Sequence, residues 1–323
     1  MSVFGNSEYL DEAVTSILRQ SFHEFEFLII NDGADKAVRE VLKSHNDQRL
    51  IVIDQEWLGL TKSLNHAIQL SRGEYLARMD ADDVSMSSRL QKQVEILTRD
   101  ARLGLVGTSY VDIAENGKKL SETLLPVDSY VLKDELLYQN QFCHGSVMFR
   151  RECLNKAGAY RDEFLRAQDY DLWLRIAEHF EVTNLPEILY KRRVAPGSIS
   201  IAKKREQALF AKYARKCAQA RRNGKTEPLG QLRRLRKTSA RRSCVSRFDD
   251  RFSRFHYQFH HGRSFFVRRE LAQARPLFLS AMMQLPYRLD AFLFFCATYL
   301  PFCLINKLSP VWKMIHKRMT TNF

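Results

Sequence analysis

Three short apolar runs, Phe25–Ile30, Leu50–Ile53 and Glu74–Met79, alternate with segments whose apolar residues recur at helical spacing, and this alternation constrains the fold most. Each run is too short for a stable helix, and the first two are rich in β-branched residues, so they read as strands. Ahead of them, Leu10, Ala13, Val14, Ile17 and Leu18 line one helix face. Ser7 can cap that helix, and Glu8, Asp11 and Glu12 favour its positive end. A second helix from about Thr61 to Ser71 turns Leu60, Leu64, Ala67 and Ile68 inward and stops at Gly73. A helix from about Ser85 to Thr98 follows, then strand material over Leu103–Ala114 and a turn at Asn116-Gly117. The order β-α-β-α-β predicts an α/β domain with a mostly parallel sheet and helices on both faces.

Ligands of such sheets bind at the carboxyl ends of the strands. Here those ends are acidic: Asn31-Asp32-Gly33 after the first run and Asp80-Ala81-Asp82-Asp83 after the third. The first triplet is also an ordinary turn composition. The second is harder to explain structurally, because three carboxylates within four residues repel one another. A hard divalent cation, Mg²⁺ or Mn²⁺, takes one or two such carboxylates together with substrate phosphates. A solvated acidic loop is the alternative.

Charge divides the chain in two. Residues 1–200 carry 24 basic and 31 acidic side chains, whereas residues 201–323 carry 27 basic and 6 acidic. Cys143, Cys153, Cys217, Cys244, Cys296 and Cys303 show neither CxxC pairs nor disulfide-framework spacing, which excludes zinc ribbons and secreted knots and suits reduced thiols. The N-terminus lacks the basic-then-apolar pattern of a signal peptide, so a cytoplasmic location is expected.

Several segments, in order, resemble the family 2 glycosyltransferases. They are Asn6-x-x-Tyr9-Leu10 with Ser16 and Gln20; Phe27–Gly33; Gly59-Leu60 with Leu64-Asn65 and Ala67; Gly73-Glu74-Tyr75 leading to the Asp80-Ala-Asp82 pattern; His144–Phe149; Ala157-Gly158-x-Tyr160; and Gln168-Asp-Tyr-Asp-Leu-Trp173. The resemblance spans about residues 1–200 and implies the GT-A nucleotide-sugar-binding fold. It further implies an inverting transfer of sugar from a nucleotide-diphosphate donor to a hydroxyl of a glycan or lipid-linked acceptor, in surface-polysaccharide synthesis. Carried over position by position, Phe4 stacks on the donor base, Asp32 bonds to it, Asp80 lies near ribose and metal, and Asp82 binds Mn²⁺ or Mg²⁺. Asp169 is then the catalytic base. Arg89 is a donor-side candidate, and His144 and Trp173 are acceptor-side candidates.

Structural alternatives stand beside these roles. Asp169 can cap the helix that starts near it, His144 can be a packed strand-end residue, and Arg89 can lie on a solvated helix face. Tyr170 and Trp173 suit the core of an amphipathic helix. The chain departs from the family pattern in three places. Met1–Asn6 matches only the end of the first strand, so most of that strand is expected to be missing. Gln168 stands where Glu is usual, and Ala195 stands where relatives often carry a metal-contacting His. A degenerate, non-catalytic sugar-binding partner protein is therefore the alternative reading.

The basic half, residues 201–323, is expected to be a separate helical region. Lys203–Arg269 holds 21 Lys and Arg, and Leu209, Phe210, Tyr213 and Ala214 have helical spacing. Residues 271–286 resemble one helix of a tetratricopeptide-like pair. Ala291–Ile305 is strongly apolar but short of the roughly 20 residues that span a bilayer. Flanking Arg288, Lys307, Lys313, Lys317 and Arg318 suit an interfacial segment on anionic lipid, which predicts peripheral attachment to the cytoplasmic membrane face. Nucleic acid, with stacking by Phe255, Tyr257, Phe259, Phe265 and Phe266, is the less favoured partner because no binding motif accompanies it.

Overall fold

The computed structural model describes residues 1–5, 8–33, 35–194, 204–242, 258–259, 262, 266, 271–284 and 289–299. Ser7 and Ala195, the expected cap and the expected metal-side departure, lie outside the described residues, as do Phe255, Tyr257, Phe265 and residues 300–305.

Strands β1 (Ser2–Val3), β2 (Phe27–Asp32) and β3 (Leu50–Gln55) form a parallel sheet in the order β1-β2-β3. Every residue of β2 is buried, as its uninterrupted apolar run requires of a central parallel strand. Helix α1 (Leu10–Leu18) buries Leu10, Ala13, Val14 and Ile17 of the stripe read from the sequence and leaves Leu18 half-buried. Between β2 and β3 stands a helix not anticipated above, α2 (Lys36–Ser44), with Asp35 accepting from the Val38 amide at 3.1 Å as its N-cap. It buries only Val38 and Leu42, so its periodic signal is two residues deep.

Helix α3 (Leu60–Leu70) leads to β4 (Tyr75–Ala77), β5 (Val84–Ser85), α4 (Arg89–Arg99) and the long β6 (Leu103–Ile113). Next come β7 (Lys119–Thr123), α5 (Ser129–Glu135), a 3-10 turn (His144–Ser146), β8 (Met148–Arg150), α6 (Cys153–Ala157), α7 (Gln168–Ala177) and β9 (Glu181–Arg193). The second sheet runs β4-β8-β6-β9-β5, with β7 on β6. Among the described residues only its β6–β9 pair is parallel. The β6–β7 connection uses Gly117 at φ 77°, a conformation that glycine adopts without steric cost.

Trp173 is wholly buried at the centre of the larger core. Phe142, His144, Phe149 and Tyr160 surround it edge-on, with ring centroids 5.8–6.3 Å away, the geometry that aromatic quadrupoles favour. The expected boundary near residue 200 is corrected here. Helices α8 (Lys204–Arg222) and α9 (Leu229–Arg242) place Phe210, Ala214, Cys217 and Leu232 in this same core. One compact unit therefore comprises residues 1–194 and 204–244, and the other comprises 195–203 and 245–323. Apolar residues at helical spacing, rather than charge, decide where the first unit ends.

In the second unit, α10 (Leu271–Gln284) and α11 (Leu289–Ala297) pack through a phenylalanine cluster. Phe278 and Phe294 lie 5.4 Å apart, and both meet Phe259 and Phe266. Phe259 and Phe266, considered above as base-stacking side chains, serve this internal packing instead.

Candidate active site

The turn after β4 carries the densest set of ionisable groups. Arg78 is buried and donates through Nη2 to Asp80 Oδ1 at 2.5 Å. Burial works against the Asp80 carboxylate, but the charge of Arg78 and its hydrogen bond outweigh it and hold the Asp80 pKa below the usual value. Among the described residues no such cation is bonded to the Asp82 carboxylate. Burial and then the Asp80 charge raise its pKa to about 6, and the same two causes, with Asp82 itself, raise that of Asp83 well above the ordinary range. Asp83 is buried and accepts from the Arg193 amide at 2.7 Å. A divalent cation suits this donor set, because it relieves the repulsion that makes these carboxylates hard to ionise. Among the described residues no three acidic, histidine or cysteine side chains close on one point. Asp82 and Asp80 supply oxygen donors of the kind a hard divalent ion takes.

His144 joins this turn to the opposite wall. Its Nε2 lies 3.1 Å from Tyr160 Oη, and burial followed by Arg78 lowers its pKa to about 4, so the ring is neutral near pH 7. The charges of Asp169 and Asp80 both act on it. Gly145 beside it is required: a Cβ there would come within 1.9 Å of Tyr190 Oη and 2.8 Å of Asp80 Oδ2.

Asp169 is the second residue of α7, and the residue preceding that helix is Ala167, at φ 54°. Asp169 is therefore not the helix N-cap; its Oδ2 accepts from Asn140 Nδ2 at 2.9 Å. Two residues on, Asp171 is fully buried between Arg161 and Arg175. Arg175 also donates to the carbonyls of Ala157, Gly158 and Ala159, which fixes the chain entering Tyr160.

At the ends of the parallel strands, Phe4 is 65% exposed and its ring lies 6.1 Å from that of Trp57, itself 64% exposed. Asp32, expected to face a base, is 1% exposed. Its oxygens accept from Gln55 Nε2 at 2.8 Å and from the amides of Leu58 and Gly59 at 2.8 and 2.9 Å. It thereby anchors the turn that presents Trp57, a residue the sequence reading passed over because no motif contains it.

Two expectations are corrected. Arg89 is fully buried rather than on a solvated face, and has no surface to offer a diphosphate. It donates to Ser85 Oγ and to the carbonyls of Arg78 and Gly145, tying α4 to the acidic turn and the 3-10 turn. Trp173, expected on the acceptor side, is packed beneath His144 with none of its surface open to a sugar.

The sequence profile of glycosyl transferase family 2 matches residues 1–158. An uncharacterized glycosyltransferase of Methanocaldococcus jannaschii is 31% identical over 67% of this chain and 77% of its own length. The chain belongs to glycosyltransferase family 2. The O-antigen biosynthesis glycosyltransferase WbnJ of Escherichia coli is 34% identical over 60% of this chain and 78% of its own. Among solved structures, a mannosyltransferase of Pyrobaculum calidifontis in complex with GDP-Man and Mn²⁺ shares the fold at TM-score 0.53 and 18% identity, covering 93% of this chain and 86% of the other. The GT-A architecture of this family 2 member thus matches the fold expected from its motifs.

Proposed function

We propose that this family 2 glycosyltransferase moves a sugar from a nucleotide-diphosphate donor to a hydroxyl of a glycan or lipid-linked acceptor, with inversion. The reading is carried by one observation: Asp80, Asp82 and Asp83 crowd the turn after β4, while Asp169 stands apart on α7 with one carboxylate oxygen bonded to Asn140. Donor charge and acceptor proton then have separate carboxylates. Phe4 and Trp57 offer an aromatic platform for the base, held by the turn that Asp32 anchors. Asp82 and Asp80 hold Mn²⁺ or Mg²⁺, which when bound neutralises charge gathering on the departing nucleoside diphosphate. Asp169 takes the acceptor proton as general base, and Asn140, bonded to one carboxylate oxygen, leaves the other for the hydroxyl. His144 stays neutral and adds no charge between them. The GDP-Man and Mn²⁺ bound by the Pyrobaculum enzyme support a nucleotide-sugar donor and a divalent ion. The O-antigen role named for WbnJ supports surface polysaccharide as the product class.

The acceptor side is proposed to face anionic lipid at the cytoplasmic membrane surface. Among the described residues no helix is long and apolar enough to cross a membrane. The second unit leaves Leu279, Met283, Phe292, Leu293 and Tyr299 exposed, within a region of strong positive charge. The deciding assay is hydrolysis of UDP- and GDP-sugars with Mn²⁺ or EDTA, with Asp82→Ala alongside in calorimetry. Mn²⁺-dependent turnover that Asp82→Ala loses is the expected result. No turnover of any donor, with binding retained, would favour the non-catalytic partner protein.

A further inference from the structure

Arg193 ends β9, and its side chain is almost wholly buried. Its guanidinium reaches three separate elements. Nε donates to the Asp82 carbonyl at 2.9 Å, Nη1 to the carbonyls of Ala114 and Glu115 at 3.2 and 2.9 Å, and Nη2 to the Glu12 carboxylate at 2.5 Å. The ring of Tyr9 lies 4.1 Å from the guanidinium carbon, and the Arg193 amide holds Asp83. One residue thus fixes the peptide between Asp82 and Asp83 against α1, the end of β6 and β9. We propose that Arg193 is the positioning residue that sets the divalent-cation affinity of the Asp80–Asp83 turn, a role that rests on the metal reading above.

The argument is one of preorganisation. A carboxylate on a mobile turn must be ordered when the ion binds, and that cost subtracts from affinity. A cation so near the site would by charge alone repel the ion, but Glu12 balances it and leaves the geometric effect dominant. Only a planar fork meets acceptors in three directions, and a lysine ammonium at the end of a flexible stem does not.

The test uses the full chain with Mn²⁺ alone as probe. Free Mn²⁺ is followed by electron paramagnetic resonance, and amide hydrogen exchange is followed without metal. Arg193→Lys is expected to weaken Mn²⁺ binding roughly tenfold to hundredfold, the usual cost of losing a group that supports metal ligands. Exchange should quicken over residues 81–84 while β2 and β6 keep their protection. If Arg193→Lys fails to fold, Glu12→Ala, which frees one corner of the fork, should show the same local exchange and a smaller loss of affinity. Unchanged Mn²⁺ affinity in the folded variant, or exchange raised evenly across the domain, overturns the proposal while the metal reading stands. A wild-type chain that takes up no Mn²⁺ overturns both.

Discussion

Asp82 and Asp169 are the same residue type in opposite surroundings. Asp82 sits among carboxylates, and its folded pKa is raised to about 6. Its protonated form is therefore favoured on folding, which stabilises the chain below the unfolded value and is lost as pH rises through about 6. In EDTA, Asp82→Asn should raise stability at pH 7.5 by up to about 2 kcal/mol, a figure discounted for partial exposure, and leave it unchanged at pH 3.5. Denaturant titrations at the two pH values check this, and added Mn²⁺ should stabilise only the wild type. Asp169 instead accepts from the neutral amide of Asn140. Asp169→Asn should lower turnover by about 10² to 10⁴ with donor affinity retained, the range for a lost general base. Asn140→Ala should lower kcat with little change in donor KM, because it disorders the proposed base without touching the donor. Asp80, Asp82, Asp169 and His144 were visible in the sequence, since each stands beside a strand end or in an ordered motif. Trp57, Asn140 and Arg193 were not. They act through contacts with residues far away in the chain, Arg193 with Glu12 above all, and no local spacing records such a contact.

At the scale of elements, what the sequence shows depends on burial. Strand β2 was legible as an unbroken apolar run that is buried throughout, and helix α1 because its buried residues follow one helical period. Helix α2 was missed because two buried residues make no period. The antiparallel strands β7 and β8 are short, and their pairing with β6 is set by a turn and by tertiary contact. Helix α7 is seated by charge as well as by Trp173. Asp171 pairs with both Arg161 and Arg175, Glu227 supplies the second negative charge at Arg161, and Arg175 carries the chain towards Tyr160. Removing Asp171 leaves the buried Arg175 guanidinium without a carboxylate, while Arg161 keeps Glu227 at 2.8 Å, so Asp171→Ala should cost about 3–5 kcal/mol. It should also loosen the Tyr160–His144 contact. Thermal unfolding reads the first effect, and the histidine ring resonances read the second.

For the whole molecule, the charge split gives the most direct prediction. The full chain should sediment with vesicles of anionic lipid and not with neutral ones, and high salt should release it, since screening at physiological ionic strength acts beyond about 8 Å. A chain ending near residue 244, which keeps α8 and α9 in the first core, should stay in solution; equal binding to neutral vesicles would assign the attachment to apolar residues instead. The placement of the indoles has an optical consequence. The chain has three tryptophans, of which Trp57 is exposed beside Phe4 and Trp173 is sealed in the core. Trp57 should emit at long wavelength and be quenched by a stacked nucleobase, while Trp173 emits at short wavelength and is indifferent to ligand. Donor titration should therefore dim the red side of the spectrum and shift what remains to the blue, and Trp57→Phe should abolish the change, so that the unlabelled protein reports its own occupancy.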